Sequence, residues 1–287
     1  MFLGHISEVP NNFKKPLLQF SNKKNLINDR GTYTLMNNIC PHQGSLIISK
    51  MQNNLSCQYH GWSWNTDGSP LSSGCTKLCN NSSLSKKSVF EINNLLFSDF
   101  VDLSSMSHVN LKYMKLVEER IEMVKSNYVN IIDVFLDIDH IPVVHPGVYT
   151  QVGVGNSTEV EWKYYDWGNI QLVKKNSCYS KEYQNTLLGI DEEKLSACWI
   201  TLYPYVTIDW QPGGIFVVIC IPKEENTEVI IYKYRDSRYS DDNWKINNTI
   251  WETAWQQDKH QAEVIVSKSQ LNLEESKIHF RDFLRKT

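Results

Sequence analysis

The sequence predicts a small antiparallel β domain followed by a larger α+β domain, divided near residue 105. Three observations carry this reading. The N-terminal third holds short strand-like runs, Pro16–Phe20, Thr32–Met36 and Leu46–Ser49, punctuated by turn-forming clusters at Ser21–Lys24, Asn28–Gly31 and Asn65–Ser69. From Val124 to Asp139 apolar residues recur at helical spacing, and Pro142 ends the pattern. Beyond it come β-type runs at Glu159–Trp167, Ile170–Lys174, Ala197–Trp210, Ile215–Ile221 and Glu228–Arg235, then a long helix from about Ser240 to Ser267 and a polar tail. The mixed stretch from Ser105 to about Glu122 reads as the join between a domain over 1–105 and a domain over 106–287.

Composition excludes several classes of function. The 287 residues fit two ordinary domains and carry a net charge of −3 with both signs interspersed, so no basic footprint for nucleic acid is expected. The longest strongly apolar run, Ile215–Ile221, is too short to cross a bilayer and suits a buried strand. The start, MFLGHISEVP, lacks the features of a signal peptide, and a cytoplasmic location is the default expectation. Seven cysteines, an odd number, argue for reduced thiols or metal ligands over a disulfide scaffold. Cys198 and Cys220 sit among apolar or aromatic neighbours and read as small buried residues. Cys75 and Cys79 read as loop thiols, and Cys178 has no clear setting.

Two Cys–His pairs carry the first chemistry. Cys40-Pro41-His42-Gln43-Gly44 is followed, after fourteen residues beyond His42, by Cys57-Gln58-Tyr59-His60-Gly61-Trp62. Two thiolates and two imidazoles suit a two-iron cluster in which the imidazole-bound iron carries less negative charge, which raises the reduction potential above that of an all-Cys cluster. Gly44 and Gly61 are expected to let backbone amides approach the sulfurs. The competing reading is structural zinc, but zinc sites usually pair Cys with Cys and His with His.

The second set is Asp137, His140 and His145. Asp137 and His140 share a face if the helix runs through them, and a break at Pro142 lets His145 swing back to the same point. Single histidines near helix ends are commonly caps or satisfied core residues. Two converging imidazoles plus a carboxylate would instead make a 2-His-1-carboxylate facial site for non-haem Fe(II), with positions open for dioxygen and substrate. The carboxylate candidate is Asp258. On a helix it shares a stripe with Trp251, Trp255 and Ala262, where an unpaired charge would be costly. Its rivals are Glu263, Asp242 and His260.

On these motifs the chain resembles the terminal oxygenase (alpha) components of Rieske non-haem iron oxygenases, an aromatic-ring-hydroxylating dioxygenase-like family. CPHQG and CQYHGWSW look like the two boxes of the Rieske ferredoxin-like domain, with Gln43 where many oxygenases have Arg. The run from Asp137 to His145 is similar to the family's Asp, two residues, His, four residues, His pattern, although Asn127-Tyr128-Val129 and Asp133-Val134 depart from the usual flanks. Asp258, followed by Glu263 and Gln270, resembles the late helix that completes the triad, and Leu202-Tyr203-Pro204-Tyr205 through Pro222 resembles the curved sheet that grips it.

The resemblance implies an α+β fold, a Rieske 2Fe–2S cluster on Cys40, His42, Cys57 and His60, and mononuclear Fe(II) on His140, His145 and Asp258. It implies a bridging role for Asp137, from His140 to the cluster ligand His60 of a neighbouring subunit in a homotrimer. It also implies dioxygen activation for mono- or dihydroxylation or demethylation of a small organic substrate. The helical lead-in that usually precedes the Rieske domain is not seen before the first strand. Gly153-Val154-Gly155 stops short of a dinucleotide fingerprint, so a separate NAD(P)H-dependent reductase or ferredoxin is expected. Trp199, Trp210, Tyr203, Tyr205, Trp251 and Trp255 offer aromatic surface for a ring or a quaternary ammonium, or simply pack a core. The Leu-Tyr-Pro stretch is faintly like oxygenases of methylated amines. The contrasting reading is a Rieske electron carrier whose second domain binds a ligand without turnover.

Overall fold

The computed structural model describes residues 1–71, 82–107, 109–147, 160–174, 195–265 and 275–287. Cys75, Cys79, Cys178, the Gly153–Gly155 stretch, Gln270 and the end of the expected long helix lie outside these residues. The chain forms two compact units, Met1–Ser104 and Ser105–Thr287.

The first unit is built of small antiparallel sheets. Strands β1 (Phe2–His5), β8 (Phe90–Ile92) and β9 (Leu95–Phe97) form one, in the order β1-β9-β8. Strands β2 (Lys14–Pro16), β3 (Lys24–Asp29), β4 (Thr32–Asn37) and β7 (Lys86–Ser88) form a second in chain order, and β5 (Leu55–Ser56) pairs with β6 (Ser63–Trp64). The turn signals hold, with Ser21, Asn22, Arg30 and Gly31 all at positive φ. Two strand expectations do not. The Pro16–Phe20 run ends as a strand at Pro16, and Leu18–Phe20 is a 3-10 turn. Leu46–Ser49 is not a strand, because the side chain of Asn38 takes the place of a ladder partner. Its Oδ1 accepts the Ile48 N–H at 2.9 Å, and its Nδ2 donates to the Ile48 carbonyl at 2.8 Å. Asn38 is fully buried, so these bonds pin the segment just before Cys40.

The second unit is a seven-stranded antiparallel sheet wrapped on a long helix. Its strands are β10 (Met114–Val124), β11 (Val160–Tyr165), β12 (Gly168–Lys174), β13 (Leu195–Leu202), β14 (Val206–Gln211), β15 (Gly214–Pro222) and β16 (Thr227–Asp236), in the order β10-β16-β15-β14-β13-β12-β11. The helices are α1 (Tyr128–Phe135), α2 (Ile141–Val144), α3 (Asp241–Val264) and α4 (Glu275–Lys286). Asn127 caps α1 by accepting the Asn130 N–H at 3.0 Å, and Ser240 caps α3 by accepting the Asn243 N–H at 3.1 Å. Phe216, Val218, Cys220, Val229 and Ile231 from the sheet pack with Trp251, Trp255 and Ala262 of α3 and Ile131 and Ile132 of α1. Cys198 and Cys220 are buried as expected, and burial pushes both thiols above their usual range. Among the described residues no helix is long and apolar enough to cross a membrane.

Three readings of this unit need correction. The stretch expected as the join does begin at the unit boundary, but its second half is β10, an edge strand, whose alternation is inverted. Val117, Ile121 and Met123 face outward at 50–52% exposure, while Glu118, Arg120 and Glu122 serve an ion network with α3. The polar tail contains α4, whose Phe280 is fully buried, with Phe283 and Leu284 at helical spacing beside it. Helix α1 does not run to Asp139. It stops at Phe135, so Asp137 and His140 lie in the turn before α2, and Pro142 sits in the first turn of α2, where its missing N–H costs nothing.

The ion network ties α3 to the sheet edge. Glu252 receives Arg120 in a bidentate pair at 2.6 and 3.0 Å and also binds Lys233, which is 1% exposed. Lys233 reaches Glu118 at 2.9 Å as well, and Lys259 reaches Glu122 at 3.1 Å. Burial pushes the Glu252 carboxyl up, but Arg120 and Lys233 outweigh it and hold the group below the usual range. Replacing Glu252 with Ala leaves the buried Lys233 short of a partner. The expected loss is about 2–3 kcal/mol in denaturant unfolding, below the full cost of a broken buried pair because Glu252 is itself partly exposed. The depressed glutamates place this contribution fully above the ordinary pKa of about 4.3 and remove it as pH falls further, so the wild-type and Glu252→Ala unfolding curves should converge in acid.

Candidate metal centres

Two loops of the first unit repeat the same geometry. In one, the Cys40 N–H donates to the Ser45 carbonyl at 2.8 Å and the Gly44 N–H to the Cys40 carbonyl at 2.9 Å. In the other, the Cys57 N–H donates to the Trp62 carbonyl at 2.7 Å and the Gly61 N–H to the Cys57 carbonyl at 2.9 Å. Gly44 and Gly61 both close their loops at positive φ, +75° and +72°. A Cβ at either would meet nothing within 4 Å, so backbone conformation rather than close approach calls for glycine.

The loops bury both thiols, at 2% exposure each, and expose both imidazoles. His42 Nδ1 and His60 Nδ1 come within 3.1 Å, and His42 stacks on Trp62 at 4.6 Å. Burial pushes the Cys40 thiol up, against the amides of His42 and Gln43, and the sum stays above the usual range. For Cys57 burial also acts upward, but the Ser45 hydroxyl and the amides of Tyr59 and His60 bring it below that range. Gln43 thus contributes through its backbone N–H, which any residue at that position supplies. The donor set fits a cluster with two sulfur and two imidazole ligands: paired thiols inside, two Nδ1 atoms facing one point outside, and amides aimed at the sulfurs.

In the second unit, His140 Nε2, His145 Nε2 and Asp258 Oδ1 converge, with separations of 3.0, 3.1 and 2.7 Å. Their ligand atoms all lie within 4.8 Å of one another, close enough to share one metal ion. Three cis ligands of an octahedral ion at about 2.1 Å lie about 3.0 Å apart, against about 3.4 Å for a tetrahedral site, so the spacing fits a facial triad. The remaining ring nitrogens are satisfied. His145 Nδ1 donates to Gln257 Oε1 at 2.7 Å, and His140 Nδ1 donates to the Asp137 carbonyl. Each imidazole therefore presents its Nε2 lone pair inward. Burial pushes the Asp258 carboxyl up, but the two imidazoles outweigh this and hold it low. Burial pushes His145 down while Asp258 lifts it above its ordinary value. A cation at this point would compete with the proton that Asp258 favours on His145.

The expected stripe is present, with Trp251, Trp255, Asp258 and Ala262 all buried on α3. The rival ligands lie elsewhere. Glu263 accepts the Lys125 N–H, Asp242 pairs with Lys245 on the surface, and His260 is exposed. The Asp137 carboxylate does not take the His140 ring N–H. Its Oδ1 accepts the His140 backbone N–H at 3.2 Å and its Oδ2 accepts Lys277 of α4 at 2.8 Å, a consequence of α1 ending at Phe135. Ser45, Gln257 and Lys277 were not singled out from the sequence, since nothing local distinguishes them from surface polar residues.

A cavity of about 110 Å³ opens onto the triad, lined by His140, His145 and Asp258 at one side and by Trp199, Asp209 and Trp251 among others. The Asp209 carboxylate accepts Trp251 Nε1 at 3.0 Å. Burial pushes it up to about 7, against that hydrogen bond and with the Asp258 charge adding to the rise.

A sheet-and-helix unit with a facial ligand set, joined to a β unit with paired Cys–His loops, defines a class that combines an iron–sulfur domain with a mononuclear metal domain. The model of the Rieske [2Fe-2S] domain matches residues 1–82, and that of the ring hydroxylating alpha subunit (catalytic domain) matches residues 102–263. The chain belongs to the ring hydroxylating alpha subunit family, with its Rieske [2Fe–2S] domain, and the cofactors of that pairing are a 2Fe–2S cluster and mononuclear iron. It is 21% identical over 271 residues to the putrescine 2-hydroxylase of Bordetella bronchiseptica, a match covering 82% of this chain and 62% of the relative's length. It is 26% identical over 150 residues to the carnitine monooxygenase oxygenase subunit of Acinetobacter pittii, covering 44% of this chain and 40% of that subunit. In fold it is similar to the quaternary ammonium Rieske monooxygenase CntA, with a TM-score of 0.73 at 16% identity over 99% of this chain and 87% of that one. It is also similar to Pseudomonas putida CBB5 NdmA crystallised with caffeine, with a TM-score of 0.55 at 15% identity over 91% and 80%.

Ser45 offers a direct test of the cluster loops. Its Oγ lies 3.2 Å from Cys57 Sγ, and a donor there favours the reduced, more negative cluster. Ser45→Ala should lower the cluster's reduction potential by about 40 mV, the equivalent of one hydrogen bond of about 1 kcal/mol, without changing its visible spectrum.

Proposed function

We propose that this protein is the terminal oxygenase of a multicomponent Rieske system, one that hydroxylates or oxidatively demethylates a small organic substrate. The observation that carries this reading is the convergence of His140, His145 and Asp258 at the wall of a cavity, with both imidazoles turned by partners on their far nitrogens. Family membership supports it, as does the naming of relatives as hydroxylases and monooxygenases. A plain electron carrier has no use for such a site.

In this reading residues 1–105 form the Rieske domain and 106–287 the catalytic domain. Cys40, His42, Cys57 and His60 hold the cluster, and His140, His145 and Asp258 hold ferrous iron. When bound, the iron supplies dioxygen activation with electrons arriving through the cluster. The net conversion takes dioxygen, two electrons and two protons, places one oxygen atom on the substrate and releases the other as water. Gln257 and the Asp137 carbonyl fix the tautomers that leave both Nε2 atoms free to ligate. Trp199, Trp251 and the apolar wall exclude water from the substrate.

The reducing equivalents come from a separate NAD(P)H-dependent reductase or ferredoxin. We also propose a homotrimer in which electrons pass between subunits through Asp137, with Lys277 holding its carboxylate in place. Inter-subunit electron transfer is described for the related quaternary ammonium monooxygenase. Relatives named for putrescine and carnitine favour a nitrogen-bearing substrate over a simple aromatic ring.

Metal analysis of the purified protein should find three irons per chain, two in the cluster and one mononuclear. Asp258→Ala should retain the two cluster irons and their Rieske EPR signal while losing the third. Oxygen uptake with a surrogate reductase should fall by at least about 100-fold in that variant, the order of loss seen when one group essential to the transition state is removed. Unchanged mononuclear iron in Asp258→Ala would reject the ligand assignment.

A further inference from the structure

The cavity wall carries more polarity than metal binding uses. Strand β14 alternates so that Thr207, Asp209 and Gln211 share one face, and all three line the cavity. Directly across on β13, Trp199 pairs with Asp209 and Thr201 with Thr207. Asp209 is therefore held at the centre of a polar strip on a central strand, within an otherwise largely apolar cavity.

Three polar atoms of this strip have no protein partner among the described residues. Thr207 Oγ1 is buried and unbonded, as is Gln211 Nε2. Asp209 uses one oxygen to accept the Trp251 N–H, and its other oxygen has no protein donor. Neither Lys nor Arg is found among the described residues lining the cavity, so no built-in cation answers the carboxylate. The nearby Lys233 lies over the Trp251 ring but is engaged by Glu118, Glu252 and Asn248. Burying a hydroxyl without a partner, and a carboxylate with a single N–H donor, costs free energy that folding alone does not recover. A ligand can recover it.

We infer that Asp209 and Thr207 form an ammonium-binding subsite, and that the substrate is a protonated alkylamine keeping at least one N–H, not a quaternary ammonium and not a neutral molecule. This rests on the oxygenase reading and deepens it by naming the substrate class of the same cavity. The two open acceptors call for hydrogen-bond donors, which a protonated primary or secondary amine has and a trimethylammonium group lacks. The ring of Trp199 adds a surface favourable to a cation. The alkyl chain then runs along the apolar wall of the same cavity, which His140, His145 and Asp258 also line. Asp209 thus acts as a specificity-determining residue.

The test is calorimetric titration of the anaerobic, reduced holoenzyme with three ligands of one carbon skeleton: n-butylamine, butyltrimethylammonium and 1-butanol. Wild-type protein should bind butylamine at least about tenfold more tightly than either of the others, and Asp209→Asn, which keeps an oxygen for Trp251, should lose about tenfold or more for the amine and clearly less for 1-butanol, which carries no charge. Equal or tighter binding of the quaternary salt or the alcohol by wild type overturns the inference even if the variant misfolds. So does an Asp209→Asn protein that binds the amine undiminished. Binding is measured without turnover, so the two readings fail separately. Asp209-dependent amine binding in a protein that takes up no oxygen with any amine would sink the oxygenase reading alone, and oxygen uptake driven only by neutral compounds would sink the amine inference alone.

Discussion

The structure of the second unit turns on one placement: a buried carboxylate, Asp258, set on the apolar stripe of α3 against two imidazoles from a different part of the chain. Left alone, such a charge would oppose folding. Here its cost is met by His140 and His145, which approach to 3.1 and 2.7 Å and hold the carboxyl ionised. The sheet packs against α3 and fixes its position, and the two rings come from His140 and His145 at the two ends of α2. The ion network at the sheet edge, centred on Glu252 and the buried Lys233, anchors the same helix about two turns earlier.

The two candidate metal centres are built by different physical means. In the first unit, paired hydrogen-bonded loops hold the thiols, and a single buried amide, Asn38, secures the chain that follows. Local sequence does most of the work there, since all four candidate ligands lie within two short loops. In the second unit the donors come from the two residues flanking α2 and from α3, 113 or more residues apart in sequence, and their alignment is a property of packing. Partners on the far ring nitrogens, Gln257 and the Asp137 carbonyl, are what turn a cluster of polar residues into a set of aimed lone pairs.

The cavity beside the triad shows how one strand can serve two purposes. Strand β14 contributes Ile208 and Trp210 to buried packing on one face and a polar strip to the cavity on the other. That division lines the cavity with both an apolar wall and a polar strip, the strip held on one rigid strand.

Much of this was legible in the sequence because the relevant signals are local. The strand runs from residue 160 onward and the start of the long helix depend on near neighbours, and the structure places them as read, with Ala197–Trp210 divided into β13 and β14 around Pro204. The stripe of Trp251, Trp255, Asp258 and Ala262 was equally readable, because helical period alone puts those residues on one face. What needed the tertiary structure is what depends on distant partners. Strand β10 escaped because its inward residues are charges whose partners lie on α3 and β16, which reverses the usual alternation. Helix α4 escaped because its overall polarity hides the one side chain, Phe280, that enters the core. The end of α1 at Phe135, the turn of Asp137 toward Lys277, and the unanswered carboxylate of Asp209 are likewise set by elements far away in the chain. Sequence determined which residue types could bind metal and the stripe of α3 on which Asp258 lies. Only packing decided which of them meet, because whether a buried charge is tolerated depends on the partner the fold brings to it.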